Sequence, residues 1–460
     1  MSFEIPLSHI AEIIMGQSPK GEEVNNEGIG LPLLNGPTEF TDRYPAPVQH
    51  TAYAKKISLP GDILFCVRGS TTGRMNYSDQ KYCIGRGLAA IRGRNGYPTP
   101  YVKSVLETYL PKLLAAATGS TFPNVSKDLI NNIPVSVLPV ENACNISKLI
   151  ELQEEKVFTN NQINQTLEQM AQALFKSWFV DFEPVKAKMT VLAAGGSQEE
   201  ATLAAMTAIS GKNADALAVF EREHPEQYAE LKATAELFPS AMQDSELGEI
   251  PAEWSYKPIS QIVMVKSGYA FKSKSFTDSG FPVIKIKNII GDGTVDVDDC
   301  QYVSSETVQG LNRFVIKNGD VLLAMTGATV GKVGVFVNNG SPAYLNQRVA
   351  KFECRKELIC NWFVYNIVSR SDFTSKILST AQGSAQPNIS AKEIESIARV
   401  IPLDSLIIAY EKCVSKLYQF VMCNISKNSL LTQLRDTLLP KLLSGEITLP
   451  EAEQIISEEA

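Results

Sequence analysis

The chain has 460 residues, 44% of them hydrophobic, and a formal net charge of -7. That composition supplies two or three globular cores and excludes a disordered or fibrous chain. No apolar run approaches the ~20 residues of a membrane helix, and no basic start precedes an apolar block, so the expectation is a cytoplasmic protein.

In chain order, the first strand signals are apolar runs at residues 63–67, 88–91 and 133–138, the first bounded by Pro60-Gly61 and Gly69-Ser70. A long helix follows, with Ile163, Leu167, Met170 and Leu174 spaced at helical period and Trp178 beyond them. It is expected to stop near Pro184. Residues 183–250 are rich in Ala and Glu and read as helical over 198–209 and 214–237. Further strands are expected at 282–286 and 321–325. A second long helix carries Val414, Leu417, Val421, Leu431, Leu434, Leu438 and Leu442, with a stop near Pro440 or Gly445. A helix of ~35 residues spans about 50 Å, which suits a spacer.

The chain also repeats itself. GSTFPNVS at 119–126 returns as GSAQPNIS at 383–390, GDIL at 61–64 as GDVL at 319–322, and PLS at 6–8 as PIS at 258–260. The matches keep their order, as two diverged copies would. Each copy is a mixed head followed by a long helix. The expected architecture is α+β, with two heads of small curved or barrel-like sheets and two long antiparallel helices in an internal pseudo-two-fold. The expected boundaries are 1–145, 146–182, 183–250, 251–404, 405–447 and a tail at 448–460.

The acid is unevenly placed. Residues 1–145 and 251–400 carry +1 and +4, while 183–250 alone carry -7. The heads are therefore neutral to basic, so the negative total does not exclude a nucleic-acid partner, whose phosphates need Lys and Arg. The 183–250 segment reads as an acidic helical insert that spaces the heads or binds a partner.

Motifs across nearly the whole chain resemble the specificity subunits of type I restriction-modification systems. They are FKSWFVDFEPVKAKM at 175–189, LRDTLLPKLLSGEI at 434–447, the entrance LGEIPAEW at 247–254, and the paired GD(I/V)L and PN(V/I)S elements. The resemblance implies two target recognition domains, each reading one half of a split, asymmetric double-stranded DNA site. It implies helices that fix the spacing and dock two modification subunits, which methylate adenine at N6 with S-adenosylmethionine. It also implies two restriction subunits that complete an ATP- and magnesium-dependent nuclease. The chain itself is expected to hold no cofactor and no metal.

No catalytic centre is legible. The three histidines, His9, His50 and His224, are scattered, and the eight cysteines form no C-x-x-C. TGATVGKV at 326–333 lacks the first Gly and the Ser or Thr of a phosphate loop, and RGSTTGR at 68–74 lacks the Lys. No methyltransferase quartet or nucleophile elbow occurs.

Base reading calls for Arg, Lys, Asn and Gln on loops with small neighbours. The candidates in the first head are Arg68, Thr71, Thr72, Arg74, Arg86, Arg92 and Arg94, with Ser120 and Asn124 in the Pro-Asn turn. In the second they are Thr326, Thr329, Lys332, Asn346, Gln347, Arg348, Gln386 and Asn388, while Lys272, Lys274, Lys285 and Lys287 are expected to contact phosphate. Asn124 and Asn388 are shared by both copies and follow proline, so they read as turn scaffold. Positions that differ between the copies are favoured for reading: Arg74 against Lys332, and Gly85-Arg86-Gly87 against Asn346-Gln347-Arg348.

Overall fold

The computed structural model describes residues 3–118, 123–246, 248–340, 342–355, 358–381 and 387–459. The first head contains β1 (Phe3–Pro6), β2 (Ala11–Met15), β3 (Leu31–Leu34), β4 (Gln49–Thr51), β5 (Ile57–Ser58), β6 (Ile63–Cys66), β7 (Met75–Tyr77), β8 (Tyr82–Ile84), β9 (Leu88–Gly93) and β10 (Pro134–Val137), with helices α1 (Thr99–Ala115) and α2 (Lys127–Asn132). One sheet runs β2-β9-β6-β7, all antiparallel. A second runs β4-β3-β8-β5, with β3 and β8 parallel. β6 is apolar at every position and every residue is buried, as befits a strand covered on both faces. The first and last strands clasp, Phe3 opposite Val137.

The long helix α3 (Val140–Phe179) follows. Helices α4 (Glu183–Ala193), α5 (Gln198–Ser210), α6 (Ala214–Glu223) and α7 (Pro225–Glu236) then form a small bundle. The single helix expected over 214–237 is two. Pro225 cannot donate a helical bond and drives His224 out of the helical region, to φ -137° and ψ 61°. A hairpin, β11 (Met242–Ser245) and β12 (Gly248–Pro251), leads on.

The second head repeats the first. Its strands are β13 (Ser255–Pro258), β14 (Val263–Ser267), β15 (Phe276–Thr277), β16 (Phe281–Ile284), β17 (Gly293–Thr294), β18 (Gln301–Val303), β19 (Val315–Ile316), β20 (Val321–Ala324), β21 (Val333–Val335), β22 (Ala343–Leu345), β23 (Val349–Cys354) and β24 (Ala398–Ile401). Its sheets run β14-β23-β20-β21-β17 and β15-β18-β16-β22-β19, with β16 and β22 parallel. β13 and β24 clasp as β1 and β10 do. All these sheets are open, and none closes into a barrel among the described residues. Helices α8 (Asn361–Val368), α9 (Ser371–Ala381) and α10 (Ala391–Ser396) complete the head. The long α11 (Asp404–Ser444) and the short α12 (Leu449–Glu459) end the chain. Pro440 lies inside α11; the stop is Gly445, whose φ of +77° suits glycine.

The chain divides into two compact units, residues 1–161 with 428–460 and residues 162–427, so each unit owns half of each long helix. In the first unit the core joins Ile63, Phe65 and Ile91 of the head to Ile146 and Ile150 of α3 and to Leu434, Leu438 and Leu442 of α11. In the second it joins Val321, Leu323 and Phe363 to Phe175, Trp178 and Phe179 of α3 and to Tyr410 and Val414 of α11. The helices run antiparallel in both. Asn160 pairs with Asn428 and the Gln153 side chain meets Leu431 O in the first unit; Asn424 pairs with Asn164 and Tyr410 with Ala171 O in the second.

The helix seam departs from the apolar spacing. Leu167 and Leu174 are half-buried, Leu431 is half-buried, and Trp178, Leu434, Leu438 and Leu442 are buried. Ile163 and Met170, placed on the seam by that spacing, are instead 36% and 54% exposed. The seam passes through Asn160, Asn164, Ala171, Phe175 and Trp178. A one-residue offset turns a side chain by about 100° around a helix, and asparagine at the buried positions hid the true stripe from an apolar count.

Candidate nucleic-acid interface

The repeated sequence pieces meet at one end of each head. After β6 the chain turns at Arg68, which bridges Asn124, while Val125 N donates to Val67 O at 2.8 Å. After β20 the equivalent turn at Thr326 bridges Asn388, and Ile389 N donates to Met325 O at 2.9 Å. Thr72 Oγ1 donates to Pro123 O at 2.9 Å, and Thr326 Oγ1 to Pro387 O at 3.3 Å. The third partner is the β8–β9 link and its counterpart. Val67 N donates to Gly87 O, and Met325 N to Arg348 O, both at 3.0 Å. Each head therefore gathers a post-strand loop, a Pro-Asn turn and a three-residue link on one surface.

These loops present different side chains. In the first head Arg68, Thr71 and Arg86 are exposed, and Arg68 and Arg86 form no ion pair among the described residues. In the second, Gln347 and Arg348 are exposed and Asn346, Thr326 and Thr329 half-buried. Arg348 Nη1 donates to Asn388 Oδ1 at 3.3 Å. Lys272 and Lys274 are exposed on the segment before β15. Gln386 and Ser120 lie outside the described residues.

Other candidates are tied into their own heads. Arg74 donates to Phe40 O at 3.0 Å and Pro37 O at 3.4 Å, and Lys332 Nζ to Ile290 O at 2.9 Å. Both anchor a neighbouring loop. Lys285 lies over the Phe276 ring and bonds Gln301, and Lys287 pairs with Asp299 at 2.8 Å.

The structure does not gather Arg92 and Arg94 with Arg68 and Arg86. They sit at the far end of β9, some 20 Å away at ~3.3 Å per residue. Arg92 is half-buried and pairs with Asp62 at 2.7 Å. Burial raises the Asp62 pKa, and the Leu59 N–H and the Arg92 guanidinium oppose that rise. Arg92 is thus a scaffold cation whose charge the sequence could not distinguish from a free one.

Four residues at the site carry no basic signal. Gly16 and Gly268 follow β2 and β14, where a Cβ would collide with Gly85 O and Leu345 O respectively. The close approach brings Ser18 Oγ to accept from Arg86 N at 3.1 Å, and places Tyr269, 39% exposed, against Asn346. A glycine at the same place in both repeats was the available clue.

The comparisons fit this arrangement. The family model described as type I restriction modification DNA specificity domain matches residues 4–169 and 251–434, one match over each repeat. The chain belongs to the type I restriction-modification specificity-subunit family. The HindI specificity subunit of Haemophilus influenzae is 30% identical over 410 residues, covering 86% of this chain and 88% of that one. The MjaVIII specificity subunit of Methanocaldococcus jannaschii is 21% identical, covering 74% and 68%. The S-subunit crystal structure from M. genitalium covers 96% of each chain with a TM-score of 0.52 at 14% identity, a likeness of fold. Members of the family are the DNA-recognition components of their systems, and both matched segments here contain one loop cluster. No helix among the described residues is long and apolar enough to cross a membrane.

Proposed function

We propose that this chain directs an adenine-N6 methyltransferase to a two-part DNA site, each head reading one half. The observation that carries the reading is the repeated loop cluster with unlike side chains. The scaffold hydrogen bonds around Asn124 and Asn388 match, whereas Gly85-Arg86-Gly87 gives way to Asn346-Gln347-Arg348. A shared frame with variable tips suits two readers of different half-sites. Arg and Gln make the bidentate contacts that distinguish guanine and adenine edges.

In this reading the long helices set the spacing between half-sites and dock two modification subunits. Leu152 on the first unit and Ile163, Met170 and Phe420 on the second leave apolar surface open for such partners. Two restriction subunits complete the nuclease. S-adenosylmethionine, ATP and magnesium belong to those partners, and this chain contributes recognition without catalysis. The acidic bundle at 183–250 stands as a spacing or partner-binding element.

Mapping methylated adenines in host DNA with and without the gene tests the reading. A motif of two short parts with a fixed spacer, present only with the gene, is the expected result. A continuous motif, or none, overturns it.

A further inference from the structure

Where each head meets the long helices of its own unit, a buried polar side chain from the head reaches a carboxylate on α3. In the first unit it is Lys103 on α1. Its Nζ lies 2.7 Å from Glu154 on α3 and 2.7 Å from Glu107 one turn along α1. Lys103 is 9% exposed. Burial opposes its charge, but Glu107 and Glu154 outweigh burial and raise its pKa. The Arg43 guanidinium lies beside it, over the Tyr44, Tyr77 and Phe158 rings. Together these groups line a cleft of about 370 Å³.

In the second unit the residue is Tyr365 on α8, 2% exposed. Its hydroxyl donates to the Glu168 carboxylate on α3. Tyr418 of α11 lies edge-on to it at 5.6 Å and accepts a 2.8 Å hydrogen bond from Asn366. Gly293, at φ +91°, lets the hydroxyl in; a Cβ there would lie 2.7 Å from it.

The two side chains hold the same place in the repeat. Tyr101–Leu106 and Trp362–Val368 are buried runs after the last strand of each large sheet, and their ends are displaced by 262. Lys103 and Tyr365 each stand three residues before the end of its run. Likewise Glu154 and Tyr418 are related by 264, the displacement of the Pro-Asn turn. The residue types differ, yet each ends on an α3 carboxylate.

Most of each junction is apolar, and apolar contact is non-directional. It holds a head against the helices without fixing its angle. A hydrogen bond to a carboxylate is directional and does fix one. In the second unit the Asn366–Tyr418 and Phe363–Glu411 hydrogen bonds add to the polar contact made by Tyr365. We propose that Lys103 and Tyr365 are equivalent positioning residues that lock each recognition head to the helices of its own unit, and so confine the DNA spacer to one length. This rests on the reading above that the chain fixes a spacer. One base pair shifts the second half-site by about 3.4 Å and turns it by roughly 35°, so modest rocking of a head suffices to admit a neighbouring spacing.

The test uses the full chain assembled with its methyltransferase subunits. The substrate is a plasmid library carrying both half-sites at the native spacer and at one base pair shorter and longer. Glu154→Gln, Lys103→Met and Tyr365→Phe are each expected to raise methylation at a neighbouring spacer relative to the native one by about tenfold, or about 1.4 kcal/mol of discrimination. The bases read should not change. Lys103→Glu combined with Glu154→Lys, in a background where Glu107→Gln removes the like charge one turn along, is expected to restore the single spacer, a rescue that mere loss of stability would not give. Tyr365→Phe keeps the buried ring, so the inference stays open to refutation if the charged variants fold poorly. Folded Glu154→Gln and Tyr365→Phe proteins that keep one spacer would overturn it and leave the functional reading intact. A wild-type complex that methylates no two-part site would overturn both.

Discussion

Asn160 Nδ2 donates to Asn428 Oδ1 at 2.7 Å, and Asn428 Nδ2 donates in turn to Asn161 Oδ1 at 2.8 Å. The mirror pair, Asn424 with Asn164 at 2.9 Å, lies in the other unit. Both pairs obey the repeat, since 160 and 164 become 424 and 428 at the displacement of 264. Asn160 and Asn424 are only 2% and 4% exposed. A buried amide tolerates few alignments, because a slipped helix leaves donors and acceptors unmet.

Breaking one member is therefore expected to cost more than replacing both. Asn160→Leu leaves Asn428 without its donor and should lower unfolding stability by about 1–3 kcal/mol. Asn160→Leu with Asn428→Leu should recover most of that loss, and it is expected to broaden the spacer lengths that are methylated. Denaturant midpoints and spacer-library sequencing read the two effects separately. A double variant as unstable as the single would refute the pairing account.

Glu411 supplies a pH prediction. It is 4% exposed on α11 and accepts a 2.7 Å bond from Phe363 N at the start of α8. Burial pushes its pKa up to about 7, against the opposing Phe363 and Trp362 N–H groups. A carboxyl whose folded pKa is raised favours the fold while protonated. Stability is thus fullest below about 4.5 and falls as pH rises toward 7, by roughly 3 kcal/mol. Glu411→Gln should remove that slope and melt higher than wild type at pH 8. Melting curves at pH 5, 6, 7 and 8 decide it; parallel slopes in the two proteins would contradict the assignment.

Arg92 and Arg348 should separate scaffold from reader. Arg92→Ala uncovers the buried Asp62 carboxylate, which is 3% exposed, and is expected to destabilise the first head by about 3 kcal/mol while the methylated motif stays the same. Arg348→Ala or Gln347→Ala should leave melting unchanged within ~0.5 kcal/mol and relax one half-site only, by about 1–3 kcal/mol per contacted base pair. Motif sequencing beside thermal melting distinguishes these patterns. A changed half-site in the Arg92 variant would return it to the interface.

The heads and helices were legible because period and repetition survive divergence. β6 and β20 sit within expected strands, and α5 runs Gln198–Ser210 against an expectation of 198–209. Proline chemistry split α6 from α7 where composition read one helix. The site was legible only in part, for a physical reason. A charged side chain looks the same in sequence whether it ends in water, as Arg68 and Arg86 do, or on its own head, as Arg74, Arg92 and Lys332 do. Only the distant carbonyl or carboxylate decides, and those partners lie 30 to 42 positions away. The asparagine seam was hidden likewise, because a count of apolar residues passes over polar groups that satisfy each other.

Arg68 and Arg86 yield the last prediction. Both are exposed beside the Pro123–Asn124 turn, and neither has an ionic partner among the described residues. If one binds phosphate, its loss removes one counterion-releasing contact. Arg68→Ala should then weaken binding to all DNA sequences alike and reduce the slope of log affinity against log salt by about 1. A base-reading Arg86 behaves differently. Its alanine variant should lose affinity for the cognate half-site by about tenfold to a hundredfold, with little change for unrelated duplexes. Titration of the assembled methyltransferase with cognate and non-cognate duplexes at several salt concentrations measures both. Arg68 gives way to Thr326 in the second repeat, but its backbone is bridged to the Pro-Asn turn that both repeats share, whereas Arg86 sits in the link that differs at all three positions, so the discriminating role is assigned to Arg86. The reverse pattern would exchange the two assignments, and no effect from either would remove this surface from the interface.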